Sequence, residues 1–337
     1  YSDPPVFGIN RNTLETLVNS YYLEYFGGKF NIKLGDIYSV YTRGLMFNTY
    51  QDQSTDFDNS LRGVEVSYDI SNKVKLYSIL GSDKYEFRTN PTQQLNDLSF
   101  STQSFFLGSE VSLISDFFFN FQYMNQNLII DESVTTEGSQ TIIDYYSSLT
   151  TVLGLYIYDN YNDLSYDNIS EYKINSDMYG ISLQGYAFGM DMYTEYVLNK
   201  YTKLNPGVEL GEGITGSQLY SSLYFDILDA GITYEFKRYD MPYYIPTTSS
   251  SPIVYKEASS VLMSRISHNM NFVNEIGHQI DINYPFSDNI FLNINLSTAR
   301  RVHPMDELHN SINFSDVVVL ISSTTFSTLL LFKMTLP

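Results

Sequence analysis

Alternation of apolar and polar residues with a period of two, repeated from one end of the chain to the other, most narrows what this sequence can fold into. In 61–70, Val64, Val66, Tyr68 and Ile70 fall on one side and Glu65, Ser67 and Asp69 on the other. Leu219, Leu223, Phe225 and Ile227 oppose Tyr220, Ser222, Tyr224 and Asp226, and Ile232, Tyr234 and Phe236 oppose Thr233, Glu235 and Lys237. The same holds for Ile280 and Ile282 against Gln279, Asp281 and Asn283, and for Leu292 and Ile294 against Asn293 and Asn295. Side chains of a strand point to opposite faces in turn, so these are half-buried strands. Their length of about 9–11 residues is what a tilted strand needs to cross a bilayer.

A soluble sandwich also alternates, so the connections decide. Tight links at Ser71-Asn72-Lys73, Ser115-Asp116, Asp229-Ala230-Gly231 and Ser287-Asp288-Asn289 take turns with long polar ones at 88–100, 125–140, 159–178, 201–216 and 240–272. Short turns at one end and long loops at the other are the pattern of an outer-membrane barrel. A sandwich mixes loop lengths at both ends.

The predicted hairpins are 17–26 with 28–37, 61–70 with 73–87, 101–114 with 117–125, 179–188 with 190–200, 217–227 with 231–240, 274–284 with 289–299, and 312–322 with 325–335. The fold class expected is therefore all-β, an antiparallel up-and-down transmembrane barrel of about 14–16 strands in one domain over 1–337. Segments 38–60 and 141–159 both start and end on the long-loop side, so each supplies an even number of strands or none. A split near Ser147-Ser148 would bring the count to sixteen, and 38–60 is a candidate excursion into the lumen that turns at Arg43-Gly44. Leu14, Leu17, Val18, Tyr21, Tyr22 and Tyr25 also fit a helical stripe, but Tyr and Phe favour strands.

Composition agrees. There are 31 Tyr and 22 Phe but no Trp among 337 residues, and Tyr suits a membrane border, where its ring is apolar and its tip wet. No apolar run approaches the ~18 residues of a spanning helix. Cysteine is absent, which excludes disulfides and thiolate chemistry. A net charge of −19 argues against nucleic acid, whose phosphates call for Lys and Arg. The partners expected are outer-membrane lipid and either a small polar solute or an envelope protein.

Four stretches resemble a family of outer-membrane barrels of unknown function from Bacteroidota-type envelopes. They are Gly35-Asp36-Ile37-Tyr38 with Thr42-Arg43-Gly44-Leu45, Phe57-Asp58-Asn59-Ser60-Leu61-Arg62-Gly63-Val64, Tyr234-Glu235-Phe236-Lys237-Arg238-Tyr239-Asp240, and Asn274-Glu275-Ile276-Gly277-His278-Gln279. The resemblance runs through 20–300 and implies a fold and a compartment, the bacterial outer membrane, without an activity to transfer. Members of that family look longer at both ends, so the chain reads as a fragment and its barrel as incomplete.

The chemical motifs are weak. Gly211-Glu212-Gly213-Ile214-Thr215-Gly216 has the letters of a dinucleotide fingerprint, but a polar loop precedes it and a strand follows, where a pyrophosphate needs a helix N-terminus. No cofactor is expected. His268, His278, His303 and His309 lack zinc-ligand spacing, and His303 and His309 with Asp306 and Glu307 offer only a loop dyad, so no enzyme is expected. Asp52, Asp56 and Asp58, and Asp159, Asp163 and Asp167, miss the glycine and terminal glutamate of a calcium loop.

What the pattern does single out is an inward polar face. Its lumen-facing candidates are Glu65, Asp69, Asn120, Gln122, Gln184, Glu235, Lys237, Gln279, Asp281, Asn283, Asn293 and Asn295. Lys237, Arg238, Arg300 and Arg301 form a candidate basic cluster at the long-loop side, suited to a pore mouth or to anionic head groups. Fourteen or more strands leave room for a channel, since about eight already fill their interior with side chains. The alternative is an interaction barrel that displays long acidic loops, with a surface-loop hydrolase a distant third.

Overall fold

The computed structural model describes residues 7–9, 21–52, 57–87, 98–114, 116–130, 172–204, 214–240, 275–287, 290–301, 313–323 and 330–336. Its strands are β1 (Phe7–Ile9), β2 (Tyr22–Gly27), β3 (Phe30–Ile37), β4 (Gln51–Asp52), β5 (Phe57–Asp58), β6 (Leu61–Ser71), β7 (Val74–Phe87), β8 (Leu98–Ile114) and β9 (Phe117–Ile130). They continue as β10 (Tyr172–Ala187), β11 (Met190–Leu204), β12 (Ile214–Ile227), β13 (Ala230–Asp240), β14 (Glu275–Ser287), β15 (Ile290–Arg301), β16 (Asn313–Ser323) and β17 (Leu330–Leu336).

The protein is an all-β, antiparallel up-and-down sheet. Seven hairpins, β2/β3, β6/β7, β8/β9, β10/β11, β12/β13, β14/β15 and β16/β17, supply fourteen strands. Each hairpin pairs with the next, from β3 with β6 to β15 with β16. The seven hairpins are those the alternation predicts. Among the described residues no ladder joins β17 back to β2, and the sheet does not close. The interval 141–159 lies outside the described residues, as do residues 11–20 of the ambiguous N-terminal stripe; Tyr22–Gly27 is strand.

Two expectations need correction. First, the strands are longer than a bilayer demands: β8 has 17 residues, β10 has 16 and β11 has 15. Residues 126–130 and 172–178, read from their polarity as loop, are paired strand. Second, the β12/β13 turn sits at Leu228-Asp229 rather than 229–231, because Ile227 pairs with Ala230. Both turn residues have positive φ, 50° and 66°, as a two-residue hairpin turn matched to strand twist requires. Pairing across eleven residue pairs overrides the poor turn propensity of leucine.

Directly opposed residues in an antiparallel ladder share a face. Following the registers from strand to strand gives one face that is apolar at mid-height. On β11 its row is Met190, Met192, Thr194, Tyr196 and Leu198, and it stops at Lys200. On β10 the row rises through Ile181 and Tyr179 and stops at Asp177. Nine residues span about 30 Å along a strand, or about 23 Å of height at the usual barrel tilt, which matches the apolar band of an outer-membrane barrel. Above it, Asp177 accepts hydrogen bonds from Tyr123 Oη and Asn125 Nδ2, each at 2.8 Å. The strands therefore continue past the apolar band.

Candidate functional site

All twelve polar candidates lie on the other face. Glu65 opposes Ile79, which opposes Phe106, Met124 and Met178 in turn. Gln122 and Gln184 follow on the same face, opposite Gly180 and Tyr193. Further round, Glu235 opposes Gln279, Asp281 opposes Asn295, and Asn283 opposes Asn293.

Residues 38–52 and 57–60 fold onto this face. Their neck is built by the motif residues. Gly35 holds φ +107°, and a Cβ there would meet the Tyr21 carbonyl at 2.2 Å. The buried Asp36 receives the Tyr21 backbone N–H at 2.7 Å and pairs with Arg62 at 3.1 Å. Asn59 accepts the Tyr50 N–H and donates to the Asn48 carbonyl. Between these anchors, Val40 bridges to Asn48, and β4 pairs with β5.

The apolar side of the segment drives its docking. Leu45, Met46 and Phe47 are fully buried, in one cluster with Ile37, Leu61, Ile79, Phe106, Met124 and Val197. Each such side chain contributes about 1.5–3 kcal/mol by leaving water. Phe47 stacks on Phe106 at 5.1 Å between ring centroids, and Tyr41 stacks on Tyr77 at 4.1 Å.

The tip, Tyr41-Thr42-Arg43, fixes the curvature of the sheet. Tyr41 Oη donates to Glu65 on β6 and its ring packs on β7 and β8. Thr42 Oγ1 accepts from Gln122 on β9 at 3.4 Å and donates to Glu195 on β11 at 2.7 Å. A flat sheet would spread β6 and β11 about 24 Å apart at the usual strand spacing. Three consecutive residues reach both, so this face is concave and wraps the tip. Thr42 has φ +59°, a conformation that a β-branched residue keeps only when its surroundings over-determine it. Here Glu195 takes Thr42 Oγ1, the Arg43 N–H and Tyr193 Oη. Burial is the main cause that raises the Tyr41 phenol above its usual value, and the Glu65 carboxylate adds to it.

Beyond the tip, on the tight-turn side, lies a cavity of about 630 Å³ lined by Arg43, Asp191, Tyr193, Tyr220, Tyr224 and Glu235 among others. Tyr220 Oη donates to Glu235. On β14 and β15 a separate polar ladder runs outside the reach of the tip: Asn283, Asn293 and Asn295 all donate to Asp281, and Ser297 donates to Asn295.

Several candidates serve packing. Gln122 donates to Tyr77 Oη, and Asn120 and Gln279 are buried. Gln184 and Asp69 are exposed. Of the basic cluster, Lys237 and Arg238 take opposite faces. Lys237 is buried and ion-paired to buried Glu275, whereas Arg238 is exposed on the apolar face, opposite Ile276, which in turn opposes Arg300. Adjacent positions on a strand point to opposite faces, so 237 and 238 cannot line one mouth. Arg301 opposes Glu275. His278 is exposed on the apolar face, where its Nδ1 lies 2.9 Å from Tyr234 Oη and its ring packs on Phe236. Ile214, Thr215 and Gly216 begin β12, so no helix follows the glycine motif. His268, His303, His309, Asp56, Asp159, Asp163 and Asp167 lie outside the described residues.

The residues that sequence reasoning missed are Thr42, Asp191, Tyr193 and Glu195. Alternation along 190–200 does carry the signal, since Asp191, Tyr193 and Glu195 fall on the side away from Met192, Tyr196 and Leu198.

A model of a family of unknown function, DUF6029, matches residues 1–317. Among solved structures, the chain is similar to Acinetobacter baumannii OccAB4 at 8% identity and TM-score 0.47, over 89% of this chain and 63% of that one. It is similar to OccAB2 of the same organism at 10% and 0.47, over 94% of this chain and 71% of that one. Pseudomonas aeruginosa OccK11 (OpdR) gives 8% and 0.42, over 92% and 78%. No curated protein matches.

Proposed function

The chain belongs to DUF6029, a family of unknown function, and from its geometry we propose that it is a channel of the bacterial outer membrane, of a Bacteroidota-type envelope, which passes small polar solutes. The apolar band of lipid height and the tight turns confined to one end support the membrane reading. Segment 38–60 enters from the long-loop end, since β3 leaves and β6 returns there. It narrows the lumen rather than filling it. The observation that carries this reading is the reach of the tip, which binds β6 to β11 while the Asn-rich ladder of β14 and β15 is held by its own side chains. One wall of the lumen is therefore apolar and blocked, and the other is polar.

The reading assigns no catalytic role. It is tested by single-channel recording of the purified chain in planar bilayers, beside a variant in which 40–48 is replaced by a short Gly-Ser link. A measurable conductance that rises in the variant supports it. A barrel that conducts in neither form is an interaction barrel instead.

A further inference from the structure

The turns that close the hairpins do not share one chemistry. Gly28-Lys29 closes β2/β3 and Asn72-Lys73 closes β6/β7, and all four residues are exposed. Small and polar residues of this kind suit a turn that stands in water. Phe188-Gly189 closes β10/β11 and Leu228-Asp229 closes β12/β13. Here Phe188 is 95% exposed and Leu228 88%. On the next hairpin Phe286, at the register shift near the end of β14, is 69% exposed.

The two apolar turns repeat one departure from the usual turn chemistry. Phe188 and Leu228 both stand first in a two-residue turn, with φ of 55° and 50°, where asparagine, aspartate or glycine is the common residue. A bulky side chain is uncommon at positive φ. Exposure leaves neither side chain packing within the described chain to offset that cost. The same departure at the same position of two neighbouring hairpins points to a contact outside the chain.

The registers indicate which contact. Phe188 continues the β11 row of Tyr196, Met192 and Met190. Leu228 follows Leu223, Phe225 and Ile227 on β12, where Leu223 opposes Met192 and Phe225 opposes Met190. Phe286 follows Ile280, Ile282 and Tyr284 on β14, and its ring meets that of Tyr284 edge-on at 6.4 Å between centroids. The apolar face thus runs down to these three residues without a charged side chain. Neighbouring hairpins lie two strands apart, about 10 Å at the usual spacing. Single side chains at that separation do not form the continuous patch of about 1,000 Å² or more that a protein interface needs. The interface of a bilayer takes such side chains one at a time.

Resting on the membrane reading above and not on conduction, we infer that Phe188, Leu228 and Phe286 anchor the turn end of β10–β15 in a phospholipid surface. Their side chains sit at the level of the lipid carbonyls in the leaflet facing the periplasm. The β2/β3 and β6/β7 turns stand in water, so the barrel is seated more deeply on one side than on the other.

The chain contains no tryptophan, so a single one reports on its own position. Phe188→Trp, Leu228→Trp and Phe286→Trp are each placed in phosphatidylcholine vesicles, beside Leu223→Trp at mid-band and Asn72→Trp at a polar turn. Quenching is measured with lipid brominated near the carbonyl end of its acyl chains, and with iodide on both sides of the membrane. The three anchor variants should lose at least as much emission to brominated lipid as Leu223→Trp does, and keep it in iodide. Asn72→Trp should do the reverse. Equal lipid quenching of Asn72→Trp would make insertion a property of tryptophan itself and overturns the inference. Iodide quenching of the three anchor variants, with Leu223→Trp answering to lipid, keeps the membrane reading and loses the anchor. Anchor positions that neither quencher reaches are covered by protein, a second copy or a partner, and that also overturns it. A Leu223→Trp that lipid does not reach sinks the membrane reading and the anchor with it.

Discussion

Thr42 donates a hydrogen bond of 2.7 Å to Glu195, across 153 residues of sequence and from the tip of the inward segment to the opposite wall. The Arg43 N–H and Tyr193 Oη converge on the same carboxylate, which is 1% exposed. A buried carboxyl group with three donors is a latch, and its loss leaves buried donors unmade, at a cost of about 1–3 kcal/mol each.

Glu195→Ala should therefore free the tip without dissolving the sheet, since Leu45, Met46 and Phe47 stay buried. The expected outcome is a larger and noisier single-channel current, with protease cleavage appearing near Arg43. Glu195→Gln keeps an acceptor oxygen and should fall between the two. An unchanged current in Glu195→Ala would show that the apolar cluster alone sets the position of the tip.

Lys237 and Glu275 make the second prediction. Both are buried, at 2% and 1% side-chain exposure. Removing one partner leaves an uncompensated charge and costs about 3–5 kcal/mol, while replacing both with apolar residues is close to neutral. Lys237→Met should lower the temperature at which the folded band is lost in cold-versus-heated electrophoresis. Lys237→Met with Glu275→Leu should restore it, and neither should shift ion selectivity as a mouth-lining base would.

The hairpins were legible because alternation is local and the paired strands are neighbours in sequence. Strand length was not. Asn127, Asn175 and Asp177 read as loop, yet they are strand, where Asn175 donates to Asn127 and Asn125 donates to Asp177 above the height of the apolar band. Polarity at a strand end is therefore no sign that pairing has stopped. Arg43-Gly44 was legible as a turning point, and Gly44 does hold φ +83°. The latch was not, because nothing in 190–200 states which residue 150 positions earlier will reach it.

That distinction makes a prediction about faces. Spin labels at Val64, Val66, Leu223, Phe225, Ile280, Ile282, Leu292 and Ile294 should be reached by a lipid-phase relaxation agent. Labels at Glu65, Asp69, Glu235, Gln279, Asp281 and Asn293 should not. Asn127 shares the face of Tyr123 but lies beyond Asn125, so a label there should respond to a water-soluble agent only. A lipid response at Asn127 would place the bilayer higher than the Tyr123–Asp177 contact allows.

Tyr41 gives the segment a dependence on pH whose sign can be worked out. Docked, its phenol is buried and donates to the Glu65 carboxylate, and both effects raise its pKa above the usual value. Undocked, it is an ordinary phenol of pKa about 10. Docking therefore binds the proton more tightly, and the stability it gains from the neutral phenol is fully present below about pH 10. Above that value the free segment ionises while the docked one resists, so docking weakens progressively as the pH rises. Single-channel current should stay flat from pH 6 to about 9 and then increase with more frequent openings. Tyr41→Phe removes both the proton and the hydrogen bond to Glu65, so its current should be higher at neutral pH and lack the alkaline rise from this group. An equal alkaline rise in Tyr41→Phe would assign the transition to another residue.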